Sequence, residues 1–157
     1  MRSFGDGPVV ELLRTDGSSV ASLIRGGYNV NDVNSTPIEI AREGLEAWRA
    51  GDFDAIERIL DPDVEWRWFE PGEWDCHGRD DVMQTIRERY EQGFAKGDVQ
   101  FRDGGEDTVI VVAHPSEIGG PDWPDETARV MKVRDERVVS MQDYRTEAEA
   151  LEAVAQA

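Results

Sequence analysis

Three side chains, Asp143, Arg129 and His114, are of types that move protons or hold charge, and the pattern around each gives it a place. Asp143 lies near the end of VVSMQDY, residues 138–144, whose composition predicts a strand. Strand side chains alternate between faces, so Val139, Met141 and Asp143 share one side, and Val138, Ser140, Gln142 and Tyr144 the other. The first side is the more apolar and is expected to face inward, although it ends in a carboxylate. Unpaired in an apolar interior, a carboxylate favours its protonated form and suits a general acid or base. Paired with Arg129, it stays ionised as a fixed negative charge, and an outward-facing side chain is the third arrangement. Arg129, in TARVMKV, is either that partner or a clamp for an anion or carbonyl, since guanidinium presents a rigid fork of donors. His114 ends TVIVVAH just before Pro115. There an imidazole is a proton shuttle at a cavity mouth, or an exposed or backbone-bonded side chain.

Aromatic residues supply the second signal. Trp66 and Trp68 are two apart in the strand expected over residues 64–69 and project to one side with Val64. Trp48, Phe53 and Tyr90 are candidates to join them, as are Met131 and Met141 from the later strands. Core packing accounts for such residues too, but two indoles so close are bulky and each N–H wants a partner. An interior lined by Trp48, Trp66, Trp68, Tyr90, Met131 and Met141 around one charged pair suits a flat, mostly apolar organic molecule. Cys76 and His77 are adjacent, cannot easily clamp one metal, and have no second cluster to help them, so no metal is expected. No phosphate-binding loop, dinucleotide fingerprint or nucleophile elbow occurs, and no cofactor is expected.

The elements that must position these groups are punctuated clearly from residue 35 onward. In TPIE, Thr36 is an N-cap, Pro37 the first helical residue and Glu39 the closing member of a capping box. Ile38, Ala41, Leu45 and Trp48 follow at helical spacing up to Gly51. Asp52 caps a second short helix with Phe53, Ile56, Ile59 and Leu60 on its apolar side, ended by Pro62. After the strand, EPGEWDCHGR is expected to be a loop, and Asp80 or Asp81 to start a third helix with Val82, Ile86 and Tyr90 on one face. VQFR, TVIVVAH, TARVMKV and VVSMQDY read as strands, while PSEIGGPDWPD is too rich in Pro and Gly for a central one. Thr146 and Glu149 form the capping box of a last helix. Segregated helices and a mostly antiparallel sheet make an α+β domain over residues 35–157. Residues 1–34 are expected to be a hairpin or a poorly ordered extension.

Composition narrows the partners. The chain has 157 residues, sufficient for one domain with a real core. Its formal net charge of -17 repels phosphate backbones and anionic membranes, so neither nucleic acid nor membrane is an expected partner. A single cysteine excludes an internal disulfide and favours a reducing compartment, and no secretory signal pattern opens the chain. A cytoplasmic location is expected.

The order of elements resembles the nuclear-transport-factor-2-like superfamily, which includes SnoaL-like polyketide cyclases. AGDFDAIERILDPDVEW is similar to its second helix and first strand, HGRDDVMQTIRERY to its third helix, and RVVSMQDYRTEAEAL to its last strand. The resemblance implies a cone in which a curved sheet wraps the N-terminal helices around a pocket, and a homodimer formed through the convex face. Steroid isomerases of the superfamily place a carboxylate base, a Tyr and an acidic donor at positions that fall here on Trp68, Gly44 and Arg129. Tyr90 matches a supporting tyrosine. Limonene-type epoxide hydrolases place an Asp at Asp143, but their water-holding Tyr and Asn fall on Trp66 and Trp68. Neither mechanism carries over unmodified. Two readings stand: a cofactor-independent enzyme (cyclisation, isomerisation, dehydration or hydrolysis) using Asp143, His114 and Arg129, or a non-catalytic binding or assembly module.

Overall fold

The computed structural model describes residues 35–156; the expectation for residues 1–34 lies outside them. Helix α1 spans Pro37–Ala50 and α2 Phe53–Ile59. Strand β1 (Leu60–Arg67), the two-residue β2 (Cys76–His77) and α3 (Arg79–Glu91) follow, with a single 3-10 turn at Phe94–Lys96. Strands β3 (Val99–Gly105) and β4 (Thr108–Ala113), the short α4 (Ser116–Gly119), β5 (Thr127–Arg134), β6 (Arg137–Tyr144) and α5 (Glu147–Ala155) complete the chain. One six-stranded sheet runs β2-β1-β6-β5-β4-β3, antiparallel throughout except for the β1–β6 pair. The α+β cone expected from the sequence is present.

Local chemistry explains most boundaries. The Thr36 hydroxyl accepts from the Glu39 amide at 3.2 Å, and the Glu39 carboxylate accepts from the Thr36 amide at 2.8 Å. Gly51 ends α1 at φ +73°, and a Cβ there would meet the Tyr90 hydroxyl at 3.0 Å, so both conformation and space demand glycine. At α5 the Thr146 hydroxyl caps the Glu149 amide at 3.1 Å, but the Glu149 carboxylate reaches the amide of Arg145 instead of closing the expected box. Helix α3 starts at Arg79, one or two residues earlier than expected, with Gly78 as its N-cap, and Asp81 accepts from the His77 amide at 2.9 Å. The EPGEWDCHGR loop contains β2, which pairs Cys76 with Trp66. Helix α2 stops at Ile59, and Leu60 and Pro62 belong to β1. Pro62 is tolerated because the β1–β6 register slips between Leu60 and Glu65, leaving its position unpaired.

A second irregularity re-aims the last strand. Lys132 pairs with Ser140, but Val133 pairs with Val138, so Val139 is an extra residue on β6. The alternation therefore reverses there. Val138, expected to face outward, is 1% exposed and packs with Met141 and Leu60, whereas the expected inward residue Val139 is only half-buried.

The two faces of the sheet have different covers. On the concave side Ile40, Ile56, Val64, Trp66, Val82 and Met141 form the main core, and α1 crosses β3, β4 and β5. On the convex side Ile110, Val112, Ala128 and Val130 pack against Ala150 and Val154 of α5. The chain's own C-terminal helix thus occupies part of the face through which a homodimer was expected.

Candidate functional site

The strands bring Asp143, Arg129 and Val111 into one row, because Arg129 pairs with Asp143 on one side and with Val111 on the other. All three point to the concave side. Arg129 Nε donates to Asp143 Oδ1 at 2.7 Å and its Nη2 to Oδ2 at 3.4 Å. Trp66 Nε1 donates to the same Oδ2 at 3.2 Å. The Arg129 guanidinium also lies over the Trp66 ring, 4.4 Å from its centroid. Asp143 is 1% exposed and both of its oxygens accept. Its carboxylate therefore anchors Arg129, and with both oxygens engaged it is poorly placed to take a proton from a ligand. Arg129 lines the cavity, and its Nη1 has no partner among the described residues.

That cavity has a volume of about 200 Å³ and lies between α1, α3 and the concave face of β3–β6. Trp48, Trp66, Trp68, Met131 and Met141 all line it, as do Arg129, Asp143 and His114. Trp48 Nε1 is satisfied by the Ile86 carbonyl at 3.1 Å. Tyr90 does not line it. Its ring meets Phe53 edge-on at 5.3 Å between centroids, and it is one of the exposed large side chains. Helical geometry gives the reason: the stripe that starts with Val82 and Ile86 continues at the seventh position, Arg89, and not the eighth, Tyr90.

Arg89 is the polar residue that sequence reasoning missed. Its guanidinium lies over the Trp123 ring at 4.8 Å, and Nη1 donates to Gln92 at 3.3 Å. Burial pushes its pKa down, as does the neighbouring positive charge of Arg129. Trp123 was missed for another reason: it comes from the Pro- and Gly-rich segment read only as unsuited to a central strand. The short α4 folds that segment back, so that Trp123 meets Phe94 at a tilt of 56°, with ring centroids 4.5 Å apart, beside the cavity. A Cβ at Gly119 would fall 2.3 Å from the Trp123 ring, so the indole rests on a bare backbone.

His114 follows β4 at the cavity wall. Its Nδ1 lies 3.1 Å from the Asp125 carbonyl oxygen. A carbonyl can only accept, so Nδ1 is the donor and Nε2 is the ring nitrogen left for other contacts. Cys76 and His77 are not part of the cavity: Cys76 is buried against Thr85, and the exposed His77 faces Glu65 at 3.6 Å. Among the described residues no group of three His, Cys, Asp or Glu side chains could hold a metal ion, and no helix is long and apolar enough to cross a membrane.

The family model described as a SnoaL-like domain matches residues 41–141, which includes every strand to the middle of β6 and the cavity residues from Ala41 to Met141. The chain belongs to the SnoaL-like family. Solved structures agree on the fold of this SnoaL-like chain. A nuclear-transport-factor-2-like protein of unknown function from Burkholderia xenovorans is similar, with 26% identity, a TM-score of 0.53, and coverage of 68% of this chain and 80% of that one. A protein from Kribbella flavida shares 15% identity at a TM-score of 0.54, over 77% of this chain and 97% of that one. A de novo designed protein with a curved β-sheet shares 14% identity at 0.52, over 76% and 93%. The last shows that this architecture exists without a natural activity, so function must be argued from the cavity. Comparison with curated proteins gives no match.

Proposed function

We propose that this SnoaL-like domain binds a small, mostly apolar organic molecule in the concave cavity, held between indole rings and a polar contact from Arg129. The supporting observation is the pairing of an open cavity with an arginine that is locked in place yet keeps Nη1 available. Pockets of this kind combine apolar walls with a few fixed polar groups, and about 200 Å³ lies below the ~300–1,000 Å³ of typical ligand pockets, which limits the ligand to a one- or two-ring molecule. Asp143 serves this reading as the positioning residue for Arg129.

A second reading, proton transfer on the bound molecule, is favoured by His114. A ring whose Nδ1–H is held by the Asp125 carbonyl presents Nε2 as a base beside the same cavity. In such a reaction Arg129 would stabilise negative charge developing on a ligand oxygen. Cyclisation, isomerisation and dehydration all need this pair of roles.

The test is a thermal-shift screen of small aromatic and alicyclic compounds against the wild-type chain and Ala113→Trp, which fills the cavity from its β4 wall. A ligand present at a hundredfold excess over its Kd stabilises by about 2.7 kcal/mol. Binders are expected for the wild type and lost in the variant. Absence of any binder, or binding that survives the filled cavity, overturns the proposal.

A further inference from the structure

The charges on the cavity wall do not balance. Arg89 and Arg129 both line it, and the only buried carboxylate among the described residues is Asp143, whose oxygens are committed to Arg129 and Trp66. Asp98 also reaches the cavity, but it is exposed and forms no ion pair with either arginine. Arg89 has one side-chain partner, the neutral Gln92 amide, and otherwise rests on the Trp123 ring. Arg89 is half-buried, and the carboxylates of Glu88 and Asp143 act on it only from a distance, neither forming an ion pair with it. A partly desolvated guanidinium without a paired carboxylate is costly, and a cation over an indole recovers only part of that cost. The chain as a whole carries a formal charge of -17, so this cationic pair stands against its general electrostatic character.

From this geometry we infer that the ligand is an organic anion, an aromatic or conjugated ring bearing one carboxylate, which Arg89 and the free Nη1 of Arg129 neutralise. The ring would lie among Trp48, Trp66 and Met141, while the carboxylate meets the two guanidinium groups. Guanidinium matches a carboxylate in shape as well as charge, and Arg129 cannot turn away because Asp143 holds its other edge. The direction of the Arg89 pKa agrees: an anion placed beside it would reverse the effects of burial and of Arg129. Arg89 thereby becomes the residue that selects acids over their neutral analogues. This inference rests on the cavity being the binding site, and it adds the class of compound.

The experiment measures affinities by calorimetry for one- and two-ring aromatic acids, each paired with its neutral amide: benzoate with benzamide, and 2-naphthoate with 2-naphthamide. The full chain, Arg89→Gln and Arg89→Lys are compared. The acids are expected to bind on the order of tenfold to a hundredfold more tightly than the amides, the range for a hydrogen bond to a charged group. Arg89→Gln should remove most of that preference by weakening the acids far more than the amides, Arg89→Lys should restore part of it, and added salt should reduce it. Equal binding of acids and amides, or a preference unchanged in Arg89→Gln, overturns the charge inference and leaves the cavity reading intact. Failure of every acid and every amide to bind the wild-type chain overturns both.

Discussion

Arg129 and Asp143 are directly opposed on adjacent antiparallel strands, and their side chains meet side-on, with Nε 2.7 Å from Oδ1. Arg129 keeps 28% of its side chain exposed and Asp143 1%, so the pair is buried at its acidic end and open at its basic end. That asymmetry converts an ion pair into a presented guanidinium. Removing Asp143 should therefore harm both folding and ligand contact. Asp143→Ala is expected to cost about 3 kcal/mol, the lower end for breaking a buried pair, because Arg129 retains access to the cavity. The double variant Asp143→Leu with Arg129→Met should recover most of that loss. Urea unfolding of the three proteins checks this; a double variant as unstable as the single would show that the pair does not act as a unit.

Trp123 depends on Gly119 for its seat. Gly119→Ala should displace the indole from Phe94 and Arg89 and alter the cavity wall, with only a modest change in unfolding free energy because α4 is short and peripheral. The expected readout is a change in tryptophan fluorescence together with ligand affinity lowered about tenfold, equivalent to about 1.4 kcal/mol. Retained affinity would show that Trp123 does not shape the site.

The β5–β6 hairpin carries positive φ at both central residues, Asp135 at +53° and Glu136 at +64°. With Arg134 paired to Arg137, this is the two-residue turn that favours Asn-Gly. Glu136→Gly should relieve a left-handed side chain and stabilise by about 1 kcal/mol, reduced by loss of the exposed hydrogen bond from Ser35. A raised urea midpoint with unchanged slope is the expected result.

Burial pushes the Cys76 thiol pKa up. The folded chain then holds this proton where the unfolded chain has lost it. Its contribution is full below the ordinary thiol value of about 8.5 and declines as pH rises through it. Stability should fall between about pH 8 and 10 more steeply for the wild type than for Cys76→Ala. A thiol reagent should label Cys76 slowly at neutral pH unless denaturant is present.

If a turnover is found, His114→Gln should lower kcat by about 10² to 10⁴. The substitution keeps a donor near the Asp125 carbonyl but removes the basic Nε2. An unchanged rate would end the second reading.

The helix caps at Thr36, Asp52 and Thr146 and the succession of the longer strands along the chain were legible in the sequence because each is written in local chemistry: a hydroxyl or carboxylate before an apolar period, or alternation of period two. So was the inward direction of Asp143. Tertiary structure decided the rest. Whether Asp143 is free or paired depends on the register between β5 and β6, and register is a property of two strands, set here by an extra residue at Val139. Whether Arg89 or Tyr90 enters the cavity depends on a rotation of α3 by one residue, about a hundred degrees, which a pattern containing both cannot fix. Trp123 reaches the wall only because a loop folds over a glycine. Periodicity says which residues can share a face; only packing says what that face meets.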